Sequence, residues 1–334
     1  KTSEFIGGQR VRAFESEFGA YLGAPHCVGV GNGTDALEIS LLALGLPKGS
    51  LVAVPANSFV ATAEAVINVG MRPIFVDVDD SFEICLDSLN AVLEHGISVL
   101  VVVHLYGYPQ NVFRIKELLR GREIKIVEDC AQAHGASING VQVGLMGDVG
   151  AFSFYPGKNL GAVGDAGAIV TQSAEIATLC RRIANHGRLS KFDHEIVGRN
   201  SRLDAIQATA LRLKLPYLGS WTDRRRQNAT IYRRHLGSLE ALILPPVSKG
   251  FEVYHHFVVR TQYRDELRDY LDSRGIDTGI HYPEAISMMP AFREFSPRPC
   301  PNSEKMSSEI LSLPIGEHLG QKEILLVSRE IQLF

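Results

Sequence analysis

The sequence predicts an α/β protein built on a mostly parallel sheet with helices on both faces and a smaller α/β unit behind it. Three observations predict this. Short runs that are almost wholly apolar and rich in β-branched residues alternate with amphipathic helical patterns through the first half of the chain. Strands covered on both faces read as continuous apolar runs, and helices between them supply the covering layers. The alternation then gives way, after Asp204, to long helical patterns and a shorter strand–helix–strand series. Finally, 334 residues at 45% hydrophobic content suffice for a large core and two domains.

Taken in order, His26-Cys27-Val28-Gly29-Val30 reads as a strand and Leu37 to Leu46 as a helix; Leu51 to Val54 and Ala61 to Val69 repeat the pair. Pro73 to Val76, the helix near Leu86 to Leu93, the strand Val99 to Val103, the helix Val112 to Leu119 and the strand Ile124 to Val127 continue it. An aromatic strand around Phe152 and Phe154 runs into a glycine-rich turn. Asp204 to Leu236 reads as one or two long helices interrupted around Pro216. Tyr254 to Arg260 reads as a strand, Arg264 to Arg274 as a helix and Thr278 to His281 as a further strand. The expected division is a large domain over 1–235 and a small one over 236–334.

Charge and cysteine content narrow the function. A formal net charge of −3, from 34 basic and 37 acidic residues, gives no footprint for nucleic acid or an anionic membrane. Arg224-Arg225-Arg226, the densest basic run, reads as a solvated helix face. Five scattered cysteines without CxxC spacing argue against a disulfide framework and a zinc site, and fit a reducing cytoplasm. No stretch of 18 apolar residues and no secretion signal is seen.

In open α/β sheets ligands gather at the carboxyl ends of strands. At the first such end, Val30-Gly31-Asn32-Gly33-Thr34-Asp35 turns from strand to helix, offering backbone N–H groups and the Thr34 hydroxyl to a phosphate. The glycine spacing matches neither GxGxxG nor the P-loop, and a purely structural helix start fits the same residues. At the second end, Phe59 either stacks on a planar ligand or joins the core. At the third, the strand ending at Val127 delivers Asp129 to the carboxyl edge with Gln132 three residues on. A buried carboxylate needs a partner, and a protonated pyridine nitrogen is a suitable one, with Gln132 at the ring hydroxyl. Glu128, Asp129, Cys130 and His134 also admit a metal reading, weakened by the single histidine and cysteine nearby. Lys158 then follows the aromatic strand on its tight turn, walled by Phe152, Phe154 and Tyr155. Either it is a solvated surface lysine, or desolvation favours its neutral, nucleophilic form and it makes a Schiff base with pyridoxal phosphate (PLP). A carboxylate for the ring nitrogen and a lysine for the aldehyde are the pair that PLP chemistry requires. His255 and His256 read as strand neighbours on opposite faces, in a structural role.

Together Gly31-Asn32-Gly33-Thr34-Asp35-Ala36-Leu37, Glu128-Asp129-Cys130-Ala131-Gln132-Ala133-His134-Gly135, Phe152-Ser153-Phe154-Tyr155-Pro156-Gly157-Lys158-Asn159-Leu160, Gly198-Arg199-Asn200-Ser201-Arg202-Leu203-Asp204 and Gly279-Ile280-His281-Tyr282-Pro283 resemble the DegT/DnrJ/EryC1/StrS sugar aminotransferases, of fold-type-I (aspartate aminotransferase-like) PLP enzymes. The resemblance covers nearly the whole chain. It implies that Lys158 is the Schiff-base lysine, that Asp129 pairs with the pyridine nitrogen and Gln132 with the ring oxygen, that Gly33, Thr34 and Ser153 hold the phosphate, and that Phe59 stacks on the ring. It implies a homodimer in which Asn200 reaches the phosphate of the neighbouring subunit and Arg202 assists with substrate; a plain helix start is the other reading of these two. Tyr155, His281 and Tyr282 are the implied substrate contacts, and no metal is implied.

The implied reaction moves an amino group from L-glutamate to a nucleotide-linked keto sugar. The run Tyr155 to Ala162 with Gly164-Asp165-Ala166-Gly167 looks most like enzymes aminating C3, hence a dTDP-3-keto-6-deoxyhexose; UDP-linked 3-keto sugars and 4-keto sugars are the alternatives. A dehydratase branch, in which histidine replaces the lysine, and a non-catalytic sensor of the same fold are further alternatives, both disfavoured by Lys158 with Asp129 and Gln132. Ser287 stands where many relatives have a histidine, which leaves the sugar contacts there open.

Overall fold

The computed structural model describes residues 5–296 and 298–334 and places a seven-stranded sheet at the centre. In chain order the elements are α1 (Gly8–Leu22), β1 (His26–Val30), α2 (Gly33–Ala43), β2 (Leu51–Pro55), α3 (Ala61–Asn68), β3 (Arg72–Val76), α4 (Leu86–Leu93), β4 (Val99–Val103), α5 (Val112–Leu118) and β5 (Lys125–Asp129). There follow β6 (Ser137–Ile138), β7 (Val141–Gln142), β8 (Val149–Ser153), β9 (Gly167–Thr171), α6 (Ala174–Ala184), α7 (Ala205–Lys214) and α8 (Leu218–Leu236). β10 (Phe257–Arg260), α9 (Arg264–Ser273), α10 (Pro301–Glu309), β11 (Ile310–Leu313) and α11 (Gln321–Leu333) complete the chain.

The sheet order is β1-β9-β8-β5-β4-β2-β3. β9 pairs antiparallel with both neighbours and the other pairings are parallel, so the mostly parallel α/β architecture holds with β9 as the exception. A parallel neighbour requires a crossover, usually a helix. β9 instead follows β8 through the lysine turn, with no helix between them, and returns alongside it.

The pleat sorts the strand residues onto two layers. In β4, Val99, Val101 and Val103 pack with α2, α3 and α6, whereas Leu100 and Val102 pack with Phe14 and Phe18 of α1 and with α4 and α5. This double burial explains the unbroken apolar runs. β5 extends two residues beyond Val127, so Asp129 is the last strand residue, paired with Val103 and Ala151.

Three expectations for the C-terminal third are corrected. The strand begins at Phe257, not Tyr254, because Tyr254 turns the chain with φ 43°. Its partner is β11, and Thr278 to His281 contributes only a single bridge, Gly279 to Ser312; the central glycine and Pro283 just beyond limit any longer ladder. Arg225 does not lie on a solvated face. It is 7% exposed and donates to the carbonyls of Tyr254, His255 and Ile315 and, at 2.8 Å, to Glu317. On α8, Arg225 shares its inward face with Thr222, Asn228, Ala229 and Tyr232, and Asn228 and Tyr232 likewise bond carbonyls of the 314–319 segment. Burial lowers the Arg225 pKa while Glu317 opposes the shift. Arg225→Met, which strands these carbonyls and the carboxylate, is expected to cost roughly 2–4 kcal/mol, read as a lower urea midpoint; an unchanged midpoint would refute the clamp.

Candidate active site

Five strand ends open onto one cavity of about 560 Å3. Gly33 and Thr34 follow β1, Ser58 and Phe59 follow β2, His104 and Leu105 follow β4, Asp129 and Gln132 end or follow β5, and Ser153, Tyr155 and Lys158 end or follow β8. Tyr282 and Asp165 complete the wall.

The first turn of α2 opens onto the cavity. Asn32 caps it, its Oδ1 accepting from the Asp35 N–H at 2.8 Å while its Nδ2 donates to Asp35. The N–H groups of Gly33 and Thr34 have no partner among the described residues and carry the positive end of the helix dipole. Gly33 must be glycine: an added Cβ would stand 2.6 Å from the Ser153 Cβ, and this close approach brings the Ser153 hydroxyl beside the helix start.

Lys158 is fixed from both sides. Its N–H donates to Tyr155 O at 2.8 Å, and the next residue, Asn159, donates to Val253 O and accepts from His255 Nδ1 at 3.0 Å. Nζ has no hydrogen-bond or ion-pair partner among the described residues. Burial lowers the Lys158 pKa, opposed by the charge of Asp129.

Asp129 shows the converse. Burial raises its pKa, opposed by the Ala131 N–H on Oδ1 at 3.1 Å, by Thr62 Oγ1 on Oδ2 at 2.9 Å, and by the charges of Lys158 and His104. It accepts two neutral donors and makes no ion pair within 4 Å among the described residues. The neighbouring Glu128 faces the other side of the sheet and is saturated. It accepts from His104 Nε2 at 2.8 Å and from the N–H groups of Gly144, Met146 and Gly147. The disfavoured metal alternative, Glu128, Asp129, Cys130 and His134, does not assemble among the described residues. His104, Glu128 and Cys130 come together instead, with the Glu128 oxygens already engaged. His134 lies against the Phe152 and Phe154 rings, 5.5 Å from each, and burial pushes it down to about 3, so its ring is neutral at pH 7.

Gln132 Oε1 accepts from the Tyr106 N–H at 2.6 Å and Nε2 donates to the Tyr282 hydroxyl at 3.1 Å, which leaves one amide hydrogen for a ligand. The Tyr106 hydroxyl donates to His281 O. Burial and the Asp129 charge push Tyr282 up to about 12. Phe59, half exposed, lies 5.2 Å from the Tyr282 ring. His255 and His256 are not separated by a strand: the turn at Tyr254 leaves their rings 4.2 Å apart, and His256 stacks on His281 at 3.9 Å.

Gly33, Thr34, Phe59, Asp129, Gln132, Ser153, Tyr155, Lys158 and Tyr282 therefore share one wall, and Asn200, Arg202 and His281 stand outside it. Ser201 accepts from Gly31 N and Arg199 pairs with Asp35 and Glu38, so this loop is pinned to α2 while Asn200 between them is exposed. Sequence reasoning missed Ser58, Thr62 and His104. The one available signal was a pair of hydroxyls four residues apart at a strand end.

The family model described as the DegT/DnrJ/EryC1/StrS aminotransferase family matches residues 1–332. A UDP-N-acetyl-3-dehydro-α-D-glucosamine 3-aminotransferase of Acidithiobacillus ferrooxidans is 40% identical over 99% of this chain and 90% of its own length. A dTDP-3-amino-3,4,6-trideoxy-α-D-glucose transaminase of Streptomyces venezuelae is 41% identical over 98% of this chain and 87% of its own. The crystal structure of S. venezuelae DesV in complex with a ketimine intermediate superposes with a TM-score of 0.96 at 40% identity, covering 99% of this chain and 91% of that one.

Proposed function

Because the chain belongs to the DegT/DnrJ/EryC1/StrS aminotransferase family, we propose that it is a PLP-dependent enzyme that moves an amino group from L-glutamate to C3 of a nucleotide-linked keto sugar, a dTDP-3-keto-6-deoxyhexose. The observation that carries this reading is the pairing of Lys158 and Asp129 across one cavity, each pushed by burial toward its neutral form. The relatives support the regiochemistry: both are named for a 3-amino or 3-dehydro sugar, one linked to UDP and one to dTDP.

The residues fit PLP on their own chemistry. An unpartnered lysine amine suits an aldehyde, a buried carboxylate without a cation suits a pyridinium, and the free N–H groups of Gly33 and Thr34 with the Ser153 hydroxyl suit a phosphate. Gln132 has one amide hydrogen for the ring oxygen, and Phe59 offers its ring from the mouth of the cavity. Bound there, the cofactor supplies an electron sink for the charge left when a Cα–H bond of the donor breaks. Asp129 would face its ring nitrogen and favour the protonated form. Lys158 Nζ would take the donor's Cα proton and deliver it to the cofactor carbon on the far side of the shared nitrogen, and would repeat both transfers in the opposite order for the sugar ketone. Lowering the amine's pKa brings it closer to working pH for that task.

Tyr155, Tyr282, His281 and Arg202 are assigned to substrate, and Asn200 to the phosphate site of a second copy in a homodimer. The exposure of Asn200 and of apolar side chains nearby, with Val197 at 97%, supports such an interface. We assign 1–235 to cofactor binding and 236–334, which holds the whole β10–β11 sheet, to a small domain. All five cysteines are free and no described helix is long and apolar enough to cross a membrane, which supports a cytoplasmic location. With PLP bound, L-glutamate is expected to bleach the cofactor's visible absorbance, and a dTDP-3-keto sugar to restore it with release of a 3-amino product. Turnover of the sugar without consumption of glutamate would instead indicate a dehydratase.

A further inference from the structure

Ser58 and Thr62 are each 1% exposed and stand two strands away from β5, at the carboxyl end of β2 and on the first turn of α3. Ser58 Oγ lies 2.7 Å from Thr62 Oγ1, which lies 2.9 Å from Asp129 Oδ2. Each hydroxyl has one proton. When Thr62 spends its own on the carboxylate, its remaining lone pairs accept, so Ser58 must donate to Thr62 and the chain runs in one direction toward Asp129. The opposite polarity, with Asp129 protonated and donating, turns the Ser58 proton into the cavity, away from any partner among the described residues. A hydrogen bond onto a charged acceptor is about twice as strong as a neutral one, so the first polarity wins. The volume at Thr62 would be filled equally well by valine, which offers no proton.

We propose that Ser58 and Thr62 are positioning residues that keep Asp129 ionised and aimed into the cavity, and through it set the protonation of the cofactor's ring nitrogen. This rests on the reading of the cavity as a PLP site. It answers a definite problem: burial drives Asp129 toward its neutral form, and two of the groups that oppose this are the Ala131 N–H and the Thr62 hydroxyl. The backbone donor is fixed by the chain, so the side-chain donor is the adjustable one.

The test loads wild type, Thr62→Val, Thr62→Ser and Ser58→Ala with PLP labelled with 15N at the ring nitrogen, and reads the PLP dissociation constant and the 15N chemical shift at neutral pH. Thr62→Val is expected to bind PLP about tenfold more weakly and to move the resonance toward that of unprotonated pyridine. Thr62→Ser is expected to recover both, and Ser58→Ala to move both in the same direction by about two- to threefold in affinity. A Thr62→Val protein with affinity within twofold of wild type and an unmoved resonance overturns the inference. Should Thr62→Val not fold, Ser58→Ala decides: no change in shift or affinity overturns the relay. Failure of the wild type to bind PLP sinks the cofactor reading itself, and is told apart because no variant is needed to see it.

Discussion

Replacement of Lys158 by alanine is expected to lower aminotransferase turnover by about 10⁴-fold, the upper range for loss of a positioned acid–base group, without unfolding the protein. Among the described residues lining the cavity Lys158 is the only amine, and the imidazole there, His104, is engaged at both nitrogens by Glu128 and the Gln110 N–H. The backbone turn survives the change, since it is held by Lys158 N–H to Tyr155 O and by the Asn159 side chain. The apoprotein carries a second signature. Burial lowers the folded-state pKa of Lys158 below its unfolded value, so the charged amine costs stability at low pH and the cost fades as pH rises through the lowered value toward 10.5. Lys158→Met should therefore be the more stable apoprotein at neutral pH, with the gap to wild type closing as the solution is made alkaline. Thermal unfolding across that range checks the sign, and a gap that widens would contradict it.

Asp129→Asn is expected to reduce turnover by about 10²–10³-fold, the scale for removing one preorganised electrostatic partner of developing charge. The change is nearly isosteric. Asparagine can still accept the Ala131 N–H through its oxygen, and its amide can donate to a reversed Thr62 hydroxyl, so charge is lost while the contacts persist. The expected split is an intact fold, weaker PLP binding and a large fall in kcat. Because burial raises the folded pKa of Asp129, its contribution to stability is greatest below its unfolded value and is lost as pH rises through the raised one. Asp129→Asn should thus stabilise the apoprotein at neutral pH and bring less benefit near pH 4. Retention of wild-type kcat would remove Asp129 from the chemistry.

What could be read in advance was what local pattern encodes. Val99 to Val103 announces a strand buried on both faces because every residue is apolar, and the lysine turn and the carboxylate at a strand end announce themselves by residue type. β9 carries no comparable sign of its direction, since Gly167–Thr171 runs antiparallel only because the preceding turn has no crossover helix. Tyr254 hid a left-handed turn inside a strand-like run, and so the relation of His255 to His256 was inverted. Arg225 looked solvated among arginines, though its position in register with Asn228 and Tyr232 turns it inward. Thr62, Ser58 and His104 acquire their roles only when β2, β4 and β5 are set side by side, and no spacing along the chain reports that.

β5 presents two adjacent carboxylates to opposite sides of the sheet, Glu128 with four donors and Asp129 with two. Their difference in vocation is thus a matter of parity along the strand, with little owed to the one methylene between them. A slip of β5 by one position would exchange them, carrying Asp129 away from the Thr62 hydroxyl and withdrawing a carboxylate from the Gly144–Gly147 loop that needs it. A single-residue insertion or deletion within β5 is accordingly the smallest lesion that would damage the chemical centre and its scaffold together, while changing no side chain in either.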